Sequence, residues 1–192
     1  MSYAQVVICL LVSGLFLPVN PAQAPTGDPV FEILREGSSI KFAVKASVPI
    51  EGTFDKWDAT LTYPSTDVEA GVLDIRVEAA SVNTGSGKND GKLKGKDFFD
   101  VKDNPYITFH SSKIVQTGPN TVDVQGTFTI RGVSKPETLN ISGFGEKGSG
   151  SGEITGTMNS GIPFTKIADR AEVSVDLLVK RVLGPPLVFR HR

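Results

Sequence analysis

From about residue 30 onward the chain alternates between apolar and polar positions. Ile40, Phe42 and Val44 stand between Lys41, Ala43 and Lys45, and Ala59, Leu61 and Tyr63 between Thr60 and Thr62. Leu73, Ile75, Val77 and Ala79 are set against Asp74, Arg76 and Glu78. Val122, Val124, Phe128 and Ile130 face Asp123, Gln125, Thr127 and Arg131. Val173, Val175, Leu177 and Val179 repeat the pattern against Glu172, Ser174, Asp176 and Lys180. A period of two puts successive side chains on opposite faces, so each run predicts a strand with one buried and one wet face. Shorter runs at Val30–Leu34, Ile107–Val115, Thr138–Phe144 and Glu153–Asn159 bring the expectation to eight strands, or nine, with Pro136 opening one of them. Trp57 shares parity with Leu61 and Tyr63 whereas Phe54 does not, which implies a bulge near Asp55.

The pattern breaks once. Lys88 to Val101 reads KNDGKLKGKDFFDV. It predicts one short helix or irregular crossover, capped by Asn89 or Asp90, with Phe98 and Phe99 turned inward. The fold class is therefore all-β and antiparallel. So many sequential strands form a sandwich or close into a barrel, and period alone leaves both open. Closure removes exposed edges. An eight-stranded barrel is just wide enough to be filled by side chains or to hold one small ligand.

The first residues behave differently. Met1 to Ala24 carries no charged side chain; Val6 to Phe16 is apolar, Pro18 and Pro21 break the run, and Ala22-Gln23-Ala24 places small residues before a cleavage point. That layout predicts a signal peptide over residues 1–24, with an uncleaved anchor as the alternative reading of the same run. Residues 25–183 then form one domain, residues 184–192 a flexible basic tail, and the expected location is periplasmic or secreted. Cys9, the one cysteine, departs with the leader, leaving neither a disulfide nor a thiol nucleophile. A net charge of −1 gives no electrostatic footprint for nucleic acid.

Catalytic chemistry finds little support in the residues. Of two histidines, His191 sits in the tail and His110 shares parity with Thr108 and Ser112 on the wet face. Asp97, Asp100 and Asp103 lack the ligand spacing of a calcium loop, and Gly85-Ser86-Gly87-Lys88 lacks the flanking residues of a phosphate loop. No catalytic residue, metal ligand or cofactor is assigned. What remains is an excess of phenylalanine, eleven against one Trp and three Tyr. Phe42, Val44, Phe54, Trp57, Phe98, Phe99, Phe109, Phe128 and Ile130 are the candidate wall of an apolar cavity, although the same set would serve a packed core.

Several of these segments occur together in a recognisable order. Ser39 to Val44, Glu51-Gly52-Thr53-Phe54, Ala79 to Thr84, Asp97-Phe98-Phe99-Asp100-Val101, Pro105, Ile107-Thr108-Phe109, Gly126 to Ile130 and Gly132 to Pro136 resemble the YceI-like family, across roughly residues 30–180. The resemblance implies a lipocalin-like barrel that holds a long isoprenoid, quinone-like or other amphiphilic lipid. Transient membrane contact is a separate expectation, and monomer and homodimer both stay open. Where the family often has a histidine after its first strand this chain has Lys45. Where it often has Arg-Asp-x-His-Leu this chain has Asn89-Asp90-Gly91-Lys92-Leu93. Lys45, Asp90 and Lys92 are thus the candidates for a headgroup contact. Two rival readings stay open: an interaction module with a packed core, serving envelope stress or an electron-transfer partner, and a barrel isomerase or cyclase.

Overall fold

The alternating runs become antiparallel strands in a computed structural model of the chain, which describes residues 27–44, 49–142, 151–160 and 171–190. The strands are β1 (Val30–Val44), β2 (Ile50–Phe54), β3 (Trp57–Thr62), β4 (Val72–Glu78), β5 (Val82–Asn83), β6 (Tyr106–Gly118), β7 (Thr121–Ile130), β8 (Val133–Ser142), β9 (Ser151–Ser160) and β10 (Ala171–Leu183). A single α-helix among the described residues, α1 (Gly87–Lys94), lies in the crossover from β5 to β6. Against the expected eight or nine strands, the described residues form ten. The additions are β5, two residues long, and β2, where Glu51-Gly52-Thr53 interrupts any apolar alternation. Neither carries a readable period.

Eight of the ten strands form a ring. The pairing order β10–β9–β8–β7–β6–β4–β3–β1 returns on itself because β10 also pairs with β1, from Val30 against Leu183 to Val44 against Ala171. The seam between β1 and β3 is held by one pair, Val30 and Thr62, while β2 and β5 continue the sheet beside the second half of β1. Long-range closure of this kind leaves no local signature in a sequence. It is the geometry that covers edges.

Irregularities keep the apolar side chains inward. Val30–Leu34 and Ser39–Val44 belong to one strand, joined by a register shift at Gly37, whose φ of +88° suits glycine. Ser38 Oγ donates to the Leu34 carbonyl and accepts the Leu178 N–H at 2.8 Å. The bulge expected near Asp55 is a full break: Phe54 ends β2, Asp55 and Lys56 are exposed, and Trp57 opens β3 buried. In β6 a second shift at Ser112 lets Ser111 and Ile114 both face inward. The Ser111 hydroxyl accepts the Leu73 N–H at 2.8 Å, just beyond the last β4–β6 pair. Pro136 lies inside β8 instead of opening it. It pairs with Thr127 of β7, and among the described residues the pairings of β8 with β9 run from Asn140 to Ser142.

The two ends of the barrel differ. The upper end receives the crossover and the β7–β8 turn, where Arg131 (φ 51°) and Gly132 (φ 69°) make the doubly left-handed two-residue loop that matches strand twist. The helix cap is Ser86, not Asn89 or Asp90. Asp90 instead lies in the first turn and accepts hydrogen bonds from the Thr84 N–H (2.8 Å) and hydroxyl (2.7 Å). These bonds, with Lys94 nearby, hold its carboxyl below the usual range.

The lower end is plugged. Tyr63, Val68 and Gln116 are buried there, and the C-terminal segment docks across them. Val188 N–H donates to the Thr66 carbonyl at 2.7 Å. Gln116 exchanges two hydrogen bonds with the Arg190 backbone, at 2.9 and 2.8 Å. The Arg190 guanidinium reaches Asp67 (3.1 Å) and Glu69 (3.0 Å). The expected flexible tail is therefore corrected for residues 184–190: Leu187 and Phe189 turn into the core, and Gln116 supplies backbone partners.

Two predictions arise from this end. Among the described residues the Tyr63 hydroxyl is buried without a hydrogen-bond partner, and burial pushes its pKa up so that it stays neutral. Tyr63→Phe removes an unpaired polar atom, and a thermal melt should show a gain of about 1 kcal/mol. The Asp67 carboxyl is held low chiefly by the Glu69 N–H; burial opposes this, and the hydrogen bond and charge of Arg190 add to the lowering. A depressed folded pKa contributes stability above the unfolded value near ~4, and that contribution is lost as pH falls through the lower folded value. Wild type should therefore out-melt Asp67→Asn at neutral pH, and the gap should close toward pH ~3. A gap independent of pH would contradict the clamp.

Candidate functional site: an apolar lumen

The inward faces of the staves enclose two voids in line along the barrel axis. The upper is walled by Ile40 and Phe42 of β1, Phe54 of β2, Ile75 and Val77 of β4, and Ile107, Thr108 and Phe109 of β6. Phe128 and Ile130 of β7, Leu139 of β8 and Val173 and Val175 of β10 complete it. The lower is walled by Ile33, Leu61, Leu73, Ile114, Val124, Ile141 and Leu177, the next inward positions on the same strands for the most part. Their free space, measured as room for the centre of a water molecule, is about 30 Å³ above and about 10 Å³ below. One water needs roughly 10–15 Å³ by that measure. The resting interior holds two small apolar voids, too tight for a hydrocarbon chain until side chains move.

Glycines shape the wall. An added Cβ at Gly126 on β7 would lie 2.7 Å from Phe109 Cζ and 2.9 Å from Ser111 Cα, and one at Gly52 on β2 would lie 2.9 Å from the Phe42 ring. Both rings thus lie against the neighbouring strand, in space a side chain would otherwise fill. At the upper end Phe99 closes on this wall, with ring centroids 6.2 Å from Phe42 and 5.7 Å from Phe54, while Phe42 and Phe54 are 5.3 Å apart. Leu93 of α1 is buried beside them and its carbonyl accepts the Phe99 N–H at 2.9 Å.

The structure divides the candidate wall residues. Phe42, Phe54, Phe109, Phe128 and Ile130 line the upper void. Phe98 and Phe99 are buried in the crossover as a cover, and Val44 is buried at the upper end of β1, above the void. Trp57 is buried under the Arg35 guanidinium, 5.0 Å from the ring, where β1 and β3 diverge, and so it fills the seam and does not line the void. Of the headgroup candidates, Asp90 is engaged by Thr84 and Lys92 is exposed on α1, so neither lines a void; Lys45 lies outside the described residues. The leader, Phe144, Phe164 and His191 lie outside them as well.

The aliphatic share of the wall, chiefly Ile40, Ile75, Ile107, Leu139, Val173 and Val175, was missed by attending to phenylalanine. The signal that would have found these residues is the parity they share with it. A wider depression of about 300 Å³ lies outside the barrel, over Asp58, Thr60, Asp74, Arg76 and His110. It is open, and its polar side chains already partner one another: Arg76 with Asp58 at 3.3 Å, and His110 Nδ1 with the Asp74 carboxylate.

Fold and lumen define a class: a single antiparallel barrel with an interior lined almost wholly by hydrocarbon, blind at its lower end. The chain belongs to the YceI-like family, whose domain model matches residues 31–178. It is 35% identical over 97 residues to a UPF0312 protein of Pseudomonas savastanoi pv. phaseolicola and 30% identical over 95 residues to one of Ectopseudomonas mendocina, each match covering 50% of both chains. The chain thus spans about half the length of these curated relatives. Among solved structures, BcnA of Burkholderia cenocepacia is similar with a TM-score of 0.68 at 23% identity, covering 77% of this chain and 99% of that one. The Campylobacter jejuni YceI protein gives 0.58 at 27%, covering 67% and 83%. A polyisoprenoid binding domain from Saccharophagus degradans gives 0.58 at 14%, covering 80% and 99%.

Proposed function

We propose that the protein is an exported, non-catalytic carrier that holds a long isoprenoid or similar amphiphilic chain inside the barrel. The observation that carries this reading is the lumen: two voids bounded by aliphatic and aromatic side chains, with Thr108 the one polar residue among the described residues that line them. Each CH₂ moved from water into such a wall gains about 0.8 kcal/mol, so a dozen carbons bind without a polar anchor. The YceI-like membership and the polyisoprenoid-binding neighbour support the same ligand class. No ionisable side chain lines either void among the described residues, which favours binding over isomerase or cyclase chemistry. Export rests on the uncharged apolar leader alone.

A specific observation favours a second reading. With about 30 Å³ free, the interior is close to that of a solid core, as an interaction module would have. Organic extraction of protein purified from its source, with native mass spectrometry after incubation with geranylgeraniol, separates the two. The carrier reading predicts a one-to-one complex that survives desalting. Protein that yields no lipid and takes up no prenyl chain is an interaction module.

A further inference from the structure

The cations of this protein are distributed unevenly. On the flanks of the barrel four are paired, Arg35 and Arg76 with Asp58, Lys41 with Asp176 and Lys56 with Glu78, while Lys113 and Lys180 are exposed without an ion pair among the described residues. On the crossover, Lys88, Lys92, Lys96 and Lys102 are exposed, and no carboxylate among the described residues lies within ion-pairing distance of them. The crossover also contains aspartates, but Asp90, the one on α1 itself, is drawn back to Thr84. Arg131 extends the group from the β7–β8 turn, its guanidinium donating to the Lys96 carbonyl at 3.0 Å.

Apolar groups stand beside these charges. Tyr106 and Val133 open β6 and β8 on either side of Arg131 and are 47% and 48% exposed. Loose cations with an aromatic and a branched aliphatic side chain at one rim are the composition that favours a headgroup layer. The charges meet lipid phosphates while the rings and methyls enter the boundary below. The same crossover carries Phe99 over Phe42 and Phe54 at the top of the lumen. The lower end, closed by the docked C-terminal segment, offers a chain no such route.

We propose that this upper rim docks the protein on an anionic lipid surface and that a bound chain enters and leaves there, beneath Phe99. The second half rests on the carrier reading; the docking itself does not. The test is flotation of the whole protein with vesicles of phosphatidylcholine alone, or of equal parts phosphatidylcholine and phosphatidylglycerol. A rim variant carries Lys88→Gln, Lys92→Gln, Lys96→Gln and Lys102→Gln. A matched flank variant carries Lys41→Gln, Lys56→Gln, Lys113→Gln and Lys180→Gln.

Wild type and the flank variant should bind the anionic vesicles and largely ignore the neutral ones. The rim variant should bind at least about tenfold more weakly, since each lysine near such a surface contributes up to about fivefold. Its melting temperature and its uptake of geranylgeraniol from solution should be unchanged. Equal binding of both vesicle types by wild type, a rim variant that binds as wild type does, or an equal loss in the flank variant overturns the proposal. If docking behaves as expected but no protein takes up geranylgeraniol, the carrier reading and the entry route fail while the docking face stands.

Discussion

Leu139→Phe and Val175→Phe should each abolish uptake of an isoprenoid chain and leave the barrel folded. Both residues face the upper void, from β8 and β10, with β9 between them in the ring. An aromatic ring there fills the little space from which a chain would open a channel. Excluding about four methylenes at ~0.8 kcal/mol each costs ~3 kcal/mol, a loss of affinity on the order of a hundredfold. Overpacking of a tight interior costs roughly 1–3 kcal/mol of stability, so the variants should melt lower but cooperatively. Native mass spectrometry reads the uptake and calorimetry the fold. Undiminished uptake in both variants would place the chain outside the lumen.

Gly126→Val should have the larger effect on the fold itself. Gly126 faces inward on β7, opposite Ser111, and an added Cβ would collide with the His110 carbonyl oxygen as well as with Phe109 Cζ at 2.7 Å. The ring could rotate, but the carbonyl belongs to the adjacent strand and cannot yield without opening the β6–β7 pairing. A loss of about 3 kcal/mol or more is expected, equivalent to about 10 °C in melting temperature for a domain of this size. Gly91→Ala on exposed α1, where an added Cβ meets nothing within 4 Å, is the control. It should be neutral or mildly stabilising, because glycine inside a helix costs ~1 kcal/mol relative to alanine.

Those two positions also show what a sequence can and cannot declare. The inward parity of Val124, Phe128 and Ile130 is plain in the alternation of β7, and so is that of Leu73, Ile75 and Val77 in β4. Alternation tells which face is buried but not what it is buried against. Trp57 has inward parity and is buried, yet it packs in a seam that exists only because β1 and β3 separate after Val30 and Thr62. Phe98 and Phe99 cover the lumen because of where the crossover returns, which no local pattern records. Closure of β1 on β10 and docking of the last residues are likewise contacts between distant segments.

Some of what was missed did leave a trace. Leu187 and Phe189 keep a period of two around the exposed Val188, the mark of a segment with one buried face, and both pack on the core. The bulge implied by Phe54 and Trp57 was legible because parity must be conserved across a strand pair. Its resolution into a break at Asp55-Lys56 was not, since it depends on Asp55 donating its N–H to the Ser81 carbonyl of the following layer.

The central claim is that the narrow interior is a binding site held nearly closed, not a finished core. A crystal structure of the protein saturated with geranylgeraniol tests it most directly. The account predicts continuous density for one extended chain from beneath Phe99, past Gly126, toward Leu177, with the Phe109 and Phe128 rings turned away from their resting positions. An unchanged interior with Phe42, Phe109 and Phe128 in their present places, and the ligand absent or bound to the outer face, would contradict it.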